Sequence, residues 1–164
     1  MAVEVKIVAE PKLEKLSQLA DRIRQDVLSD LTPFWIELEK FVAQALRHRF
    51  DTEGHGRWEA LSPTYKAWKD IHYPGKPILQ RTQALIHAAT RKGAEGNIDE
   101  KTRTKMEWGV DAGVIPYAAD VQSGKRAPSR IWCELEPSED DDVNLNFGHW
   151  LRDRLKQECE AYKK

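Results

Sequence analysis

The chain of 164 residues carries five histidines, two cysteines and 27 acidic side chains, the groups from which a catalytic or metal site is built. Their spacing does not assemble one. His48, His55, His72, His87 and His149 form neither a His-Glu-x-x-His nor a His-x-His pair, and none stands beside Cys133 or Cys159. Zinc sites need such close spacing, because ligands on neighbouring turns or strands must converge on one ion. There is no Gly-x-Gly-x-x-Gly and no Gly-x-x-x-x-Gly-Lys-Ser/Thr loop to cradle a phosphate. A Gly-x-Ser-x-Gly elbow for a nucleophilic serine is also missing. Asp111, Glu134 and Glu136 offer carboxylates for Mg²⁺, but no lysine follows Glu134 or Glu136 at the short spacing nucleolytic sites use. Glu139, Asp140, Asp141 and Asp142 fall in the first turn of an expected helix, where negative charge suits the backbone dipole, and need no metal to explain them. The expectation is a protein that is not an enzyme, with no catalytic residue, no metal and no cofactor.

The remaining chemistry is electrostatic. Arg91, Lys92, Lys101, Arg103 and Lys105 cluster, diluted by Glu95, Asp99 and Glu100. On a strand, Lys101, Arg103 and Lys105 share one face, opposite Thr102, Thr104 and Met106. That face reads either as a solvated strand surface or as a contact for an acidic partner or for DNA. The acidic stretch 134–142 is its complement. Lys and Arg total 26, for a net charge of −1, which argues against a dedicated nucleic-acid or membrane-surface protein. No apolar run approaches the ~20 residues of a membrane span. Met1 to Pro11 alternates charged and apolar residues and lacks the apolar core of a signal peptide. Cys133 and Cys159 read as two free thiols in a reducing cytoplasm, with a disulfide between them not required.

These groups are carried on one expected domain, 1–164, with 1–29 as an N-terminal extension of a strand plus a helix. Val3, Val5 and Ile7 alternate as a strand does, and Leu13, Leu16, Leu19, Ala20, Ile23 and Val27 follow helical spacing. Thr32 as N-cap and Pro33 open a second helix to about Phe50. Its broad apolar face (Phe34, Trp35, Leu38, Phe41, Val42, Ala45, Leu46, Phe50) calls for contacts on two sides. Gly54 and Gly56 mark a loop, Ser62-Pro63 starts a short helix ending near Asp70, and Leu79 to Ala89 reads as a further helix. Ile98 to Val110 alternates as a hairpin turning near Asp99-Glu100. Pro116 to Val121 reads as a short helix or an extended segment, within a loop from Asp111 to Arg130 that resembles an arm with little regular structure. Arg130 to Leu135 reads as a strand, with Ile131, Cys133 and Leu135 alternating against Trp132 and Glu134. The last helix opens at Pro137-Ser138, with Ser138 and Asp141 spaced as a capping box. Val143, Phe147, Trp150, Leu151, Leu155 and Cys159 line its apolar face, and Gly148 inside it marks a close contact or a kink.

One stretch has a distinctive order of landmarks. Phe50 and a glycine-containing loop lead into Gly56-Arg57-Trp58-Glu59-Ala60-Leu61-Ser62-Pro63-Thr64, then Lys66 and Lys69. Pro77-Ile78-Leu79-Gln80-Arg81-Thr82-Gln83-Ala84-Leu85 follows a short loop. Further on come Tyr117-Ala118, Gly124, Pro128-Ser129-Arg130, an acidic run and a closing helix. This order resembles the phage virion morphogenesis family, the tail-completion proteins of contractile-tailed and Mu-like phages, over residues 30–160. Gln83 stands where that family has glycine, and Val121-Gln122-Ser123-Gly124 replaces its His-Gln-x-Gly.

The resemblance implies a tail-terminator-like α+β fold, a small mostly antiparallel sheet against two or three long helices. It implies a non-enzymatic structural protein of the virion, made in the host cytoplasm, acting at the tail end or head–tail junction and assembling as a ring. Its partners would be tail tube or neck proteins, further copies of itself, and DNA passing through the ring. A closed ring needs a heterologous interface. Trp58, Lys101, Arg103, Lys105, Arg130, Glu139 and Asp140 are the candidate contacts, the basic hairpin of one copy meeting the acidic stretch of the next. Trp58 reads equally as a core residue stapling its loop. The alternative is a DNA-binding or DNA-processing module using the basic segment 91–105.

Overall fold

The computed structural model describes residues 17–162, apart from Leu19 and Arg22 and the side chains of Asp26 and Tyr162. The expected strand at Val3, Val5 and Ile7, and Leu13, Leu16 and Leu19 of the first expected helix, lie outside the described residues. That helix ends in a π-helical turn, Ile23–Val27, with Val27 buried.

Helix α1 spans Thr32–Asp51. Its N-cap is Leu31, one position earlier than expected, so Thr32 is already helical; the Asp30 carboxylate, two positions before Thr32, accepts the Thr32 N–H at 2.9 Å. Hydrogen bonding from Thr32, from its side chain first and then from its N–H, holds the Asp30 carboxyl below its ordinary value. The broad apolar face meets two clusters. Near its start Phe34 packs with Val27 and Trp150, joined by Trp35 and Leu38. Near its end Leu46 and Phe50 enter a larger core with Leu85, Ile86, Ala88, Ala89, Ile115, Ala118, Val121 and Trp132.

Helix α2 spans Pro63–His72 and has the expected cap, Ser62 Oγ accepting the Tyr65 N–H at 3.4 Å. Helix α3 runs only from Ala84 to Thr90. The expected earlier start fails because Leu79 and Gln83 hold positive φ, 62° and 63°, which no right-handed helix accommodates. The short α3 is almost wholly buried and forms the floor of the larger core.

Strands β1 (Asn97–Lys101) and β2 (Met106–Val110) pair antiparallel, with Asp99 opposite Trp108 and Lys101 opposite Met106. The hairpin turns at 102–105, not at Asp99-Glu100. Thr102 explains the shift: its Oγ1 accepts the Lys105 N–H at 3.0 Å and that of Thr104 at 3.4 Å, closing the turn with a side chain. Lys101, Arg103 and Lys105 therefore do not line one strand face; they run from a strand end through the turn.

Helix α4 (Tyr117–Ser123) overturns the reading of 111–130 as an irregular arm, since Ile115, Ala118 and Val121 are core residues. Residues 130–135 form no strand, so the strand expected there is corrected to a loop segment. Arg130 and Trp132 are buried, while Ile131 and Cys133 are exposed. Helix α5 spans Pro137–Tyr162 and packs Phe147, Trp150 and Leu151 against α1. Gly148 marks no close contact, for a Cβ built there meets nothing within 4 Å. Among the described residues the fold is thus α+β, with one two-stranded antiparallel sheet and two long helices, α1 and α5. None of these helices is long and apolar enough to cross a membrane.

Candidate functional site

The loop after α1 is built from left-handed residues in succession: Glu53, Gly54, His55 and Gly56 have φ between 50° and 75°. The coil returns the chain over the end of the helix and sets Trp58 on Gly54. A Cβ at Gly54 would lie 2.3 Å from the indole, so only glycine leaves room for the ring. Trp58 meets the Phe50 ring edge to face, with centroids 5.7 Å apart, and its Nε1–H donates to the Ile131 carbonyl at 3.2 Å. It is a half-buried staple between this loop and the 130–135 segment, engaged within its own chain.

Four charged residues close the same corner. Arg49, 2% exposed, donates from Nη2 to Glu139 at 2.6 Å and lies 3.8 Å from Glu136. Arg57 also pairs with Glu136, and this hydrogen bond holds the Glu136 carboxyl below its ordinary value. Glu139 in addition accepts the Glu136 backbone N–H at 2.7 Å. The helix-start box is therefore Glu136 with Glu139, not Ser138 with Asp141, because the helix begins at Pro137. Glu139 is a structural anchor, whereas Asp140 in the same turn is exposed.

The basic hairpin is largely neutralised from within. Lys101 pairs with Glu39 of α1 at 2.7 Å and with Asp99, and Lys92 reaches Glu39 and Asp99 at 3.2 Å each. Burial raises the Glu39 and Asp99 carboxyls, but hydrogen bonds from Lys101 and Lys92 outweigh it and hold both below their ordinary values. Lys105 pairs with Glu107. Arg103 is exposed at the turn, and its carbonyl accepts the Leu31 N–H at 2.7 Å, tying the hairpin to the start of α1.

Arg130 is 4% exposed, which removes it from the outer surface where a partner protein would dock. Its Nη2 donates to the Glu59 carbonyl at 2.8 Å. The segment it opens finds its hydrogen bonds in a side chain rather than in a neighbouring strand. Gln122 Oε1 accepts the N–H groups of Trp132 and Cys133 at 2.9 and 3.1 Å, and Ser129 Oγ donates to the Gln122 carbonyl at 3.0 Å. Gly124 ends α4 at φ 72°, its Cα backed against Ser129.

The seven sequence-selected residues therefore do not form one site. Trp58 and Glu139 border one corner, Arg130 is interior, and Lys101, Arg103 and Lys105 sit at the hairpin. The most developed exposed feature is on α2. Tyr65 and Trp68 stack with centroids 5.6 Å apart, and Trp68 and His72 stack at 4.7 Å. The Arg81 guanidinium lies 5.9 Å from the Trp68 ring centre and 5.5 Å from that of Tyr73. Trp68 is 39% exposed and Ile71, on the same short helix, 78%. Trp68 is the one tryptophan among these large exposed apolar groups. The signal was available in the sequence: Tyr65, Trp68 and His72 have the i, i+3, i+7 spacing of one helix face, which no buried partner claims. Among the described residues no group of three His, Cys, Asp or Glu side chains could hold a metal ion. Against family models, characterised proteins and solved structures alike, this chain finds no match.

Proposed function

We propose that this chain is a structural, non-enzymatic protein of phage virion assembly, a tail-completion or neck protein acting at the tail end or head–tail junction. It is made in the host cytoplasm, joins tail tube or neck proteins, closes into a ring of its own copies and ends in the virion. The observation that carries the assembly reading is the α2 face. Trp, Tyr and Arg dominate interface energetics, and here they are exposed together with Ile71. The rings are already stacked on one another, so little side-chain freedom is lost on docking. This face lies within the segment whose order of landmarks resembles the tail-completion family. Gln83 adds support: the position where that family has glycine has φ 63° here, a conformation glycine adopts without strain.

The electrostatic version of the ring, basic hairpin against acidic stretch, is weaker on physical grounds, because Lys101, Lys105, Glu136 and Glu139 already have partners within the chain. The same pairing weakens the DNA-binding alternative: a cation held by its own carboxylate releases fewer counterions when it meets a phosphate.

Native mass spectrometry of the purified chain, followed by electron microscopy, tests the proposal. A closed oligomer that Ile71→Asp and Trp68→Ser disperse, while Arg103→Glu at the exposed hairpin turn leaves it intact, is the expected result. A chain that stays monomeric at high concentration and binds no tail tube overturns it.

A further inference from the structure

Among the described residues, two of the most deeply buried cations have no carboxylate partner. Arg130 and Lys69 are 4% and 5% exposed, and among the described residues neither forms an ion pair. Elsewhere the same chain treats buried cations differently. Arg49, equally buried, has Glu139 and Glu136; Lys101 has Glu39 and Asp99. An unpaired buried charge is among the costliest features a fold can carry.

Both cations line one cavity of about 350 Å³ between α2, α4 and the 77–82 segment. Arg81 and the phenols Tyr65 and Tyr117 line it too, with Leu61, Ile78, Leu79 and Val121 supplying apolar wall. No Asp or Glu does. The two buried cations are fixed in place by backbone carbonyls that do not neutralise them. Lys69 Nζ donates to Pro77 O at 2.9 Å and to Lys76 O; Arg130 donates to Glu59 O at 2.8 Å and Pro128 O at 3.4 Å. Arg130 Nε is buried without a partner. The nearest acids acting on Lys69, Glu53 and Asp70, only partly offset the burial that lowers its pKa.

We infer that this cavity is a binding site for a carboxylate on an apolar stem, the anion seated between Lys69, Arg81 and Arg130 and the stem against Leu61, Leu79 and Val121. A carboxylate suits the guanidinium's planar donors, and the apolar wall favours an organic anion over inorganic phosphate, whose hydration would have to be stripped. Such a group comes either as a free small acid or as a residue of a polypeptide. The inference does not depend on the assembly reading, since it rests on the buried cations Lys69 and Arg130 rather than on the exposed α2 rings.

Calorimetric titration of the full chain tests it. One arm uses hexanoate and phenylacetate, with hexanamide and phenylacetamide as uncharged matches and inorganic phosphate alone. The other uses a short leucine-ended peptide with a free C-terminus, and its C-terminal amide. Saturable binding of the acids and not the amides supports a free ligand. Binding confined to the free-carboxylate peptide supports a polypeptide source. In either case Arg81→Gln, at an exposed position and checked for folding by circular dichroism, weakens binding about tenfold or more, the loss expected for a charge-assisted hydrogen bond. Lys69→Met does the same and provides a check from α2; it and Arg130→Met are used only if circular dichroism shows them folded. Amides that bind as well as acids, phosphate that binds as well as either, or no saturable binding in both arms overturns the inference.

Discussion

Gly54→Ala is the most informative single change in this chain, because a matched control lies two residues away. Gly54 and Gly56 share a left-handed backbone, φ 69° and 75°, but differ in surroundings. A Cβ at Gly56 meets nothing within 4 Å, whereas at Gly54 it falls 2.3 Å from two atoms of the Trp58 ring. Gly56→Ala therefore carries only the left-handed penalty, about 1–2 kcal/mol, partly offset by about 0.4–1 kcal/mol from a stiffer unfolded chain. Gly54→Ala carries that and also displaces the indole. The displaced ring loses its hydrogen bond to the Ile131 carbonyl, about 0.5–1.5 kcal/mol, and its edge contact with Phe50, a similar amount. The excess of Gly54→Ala over Gly56→Ala should be about 1–3 kcal/mol, read from urea midpoints at constant slope. In a Trp58→Ala background that excess should vanish, because nothing remains to collide with. Equal costs for the two glycine substitutions, or an excess that survives loss of the indole, would refute the packing account of Trp58.

Three further outcomes follow from the same geometry. Gln83→Gly should stabilise the protein by about 0.5–1 kcal/mol in urea denaturation, the relief of a left-handed side chain less the added freedom of the unfolded glycine. Gly148→Ala should raise stability by about 1 kcal/mol, since it lies within α5 with nothing near the new methyl; a loss would mean that the helix is bent there. Glu39 and Asp99 have lowered carboxyl pKa values in the folded chain, so they contribute stability above their ordinary values of 4.5 and 3.8. That contribution disappears as pH falls through the lowered values. Acid unfolding should be shallower in Glu39→Gln, with the difference from the parent chain shrinking at the lowest pH; an undiminished difference there would deny the linkage.

Much of the helical framework was legible because its signals are local. Ser62-Pro63 and the apolar spacing of α1 and α5 depend on neighbours in sequence. The hairpin was legible as alternation but not as a turn, because Thr102-Arg103-Thr104-Lys105 contains no glycine, asparagine or proline and closes through a threonine hydroxyl. The 130–135 segment misled for a different reason. Its alternation is real, but alternation does not say which side faces inward when one side holds tryptophan and arginine. Trp132 has the larger area to bury and donates to the Ala118 carbonyl at 3.2 Å; Gln122 supplies the hydrogen bonds a strand partner would have given. Local patterning cannot reveal that a glutamine eight or more positions upstream does the work of a strand. The candidate charges misled for the same reason: Lys101 looks free until Glu39, far away in sequence, is brought beside it.

The two hydrophobic clusters on α1 bear on how the protein comes apart. Phe34 anchors one and Leu46 the other, separated by about 18 Å of helix at the usual rise per residue. Fraying at either end releases one cluster and leaves the other holding the rod. The amides midway between them open only when both clusters are lost, so hydrogen exchange there reports global unfolding, while each end reports its own cluster. One helix thereby makes the burial of Trp150 and that of Phe50 conditions for the same slow-exchanging centre.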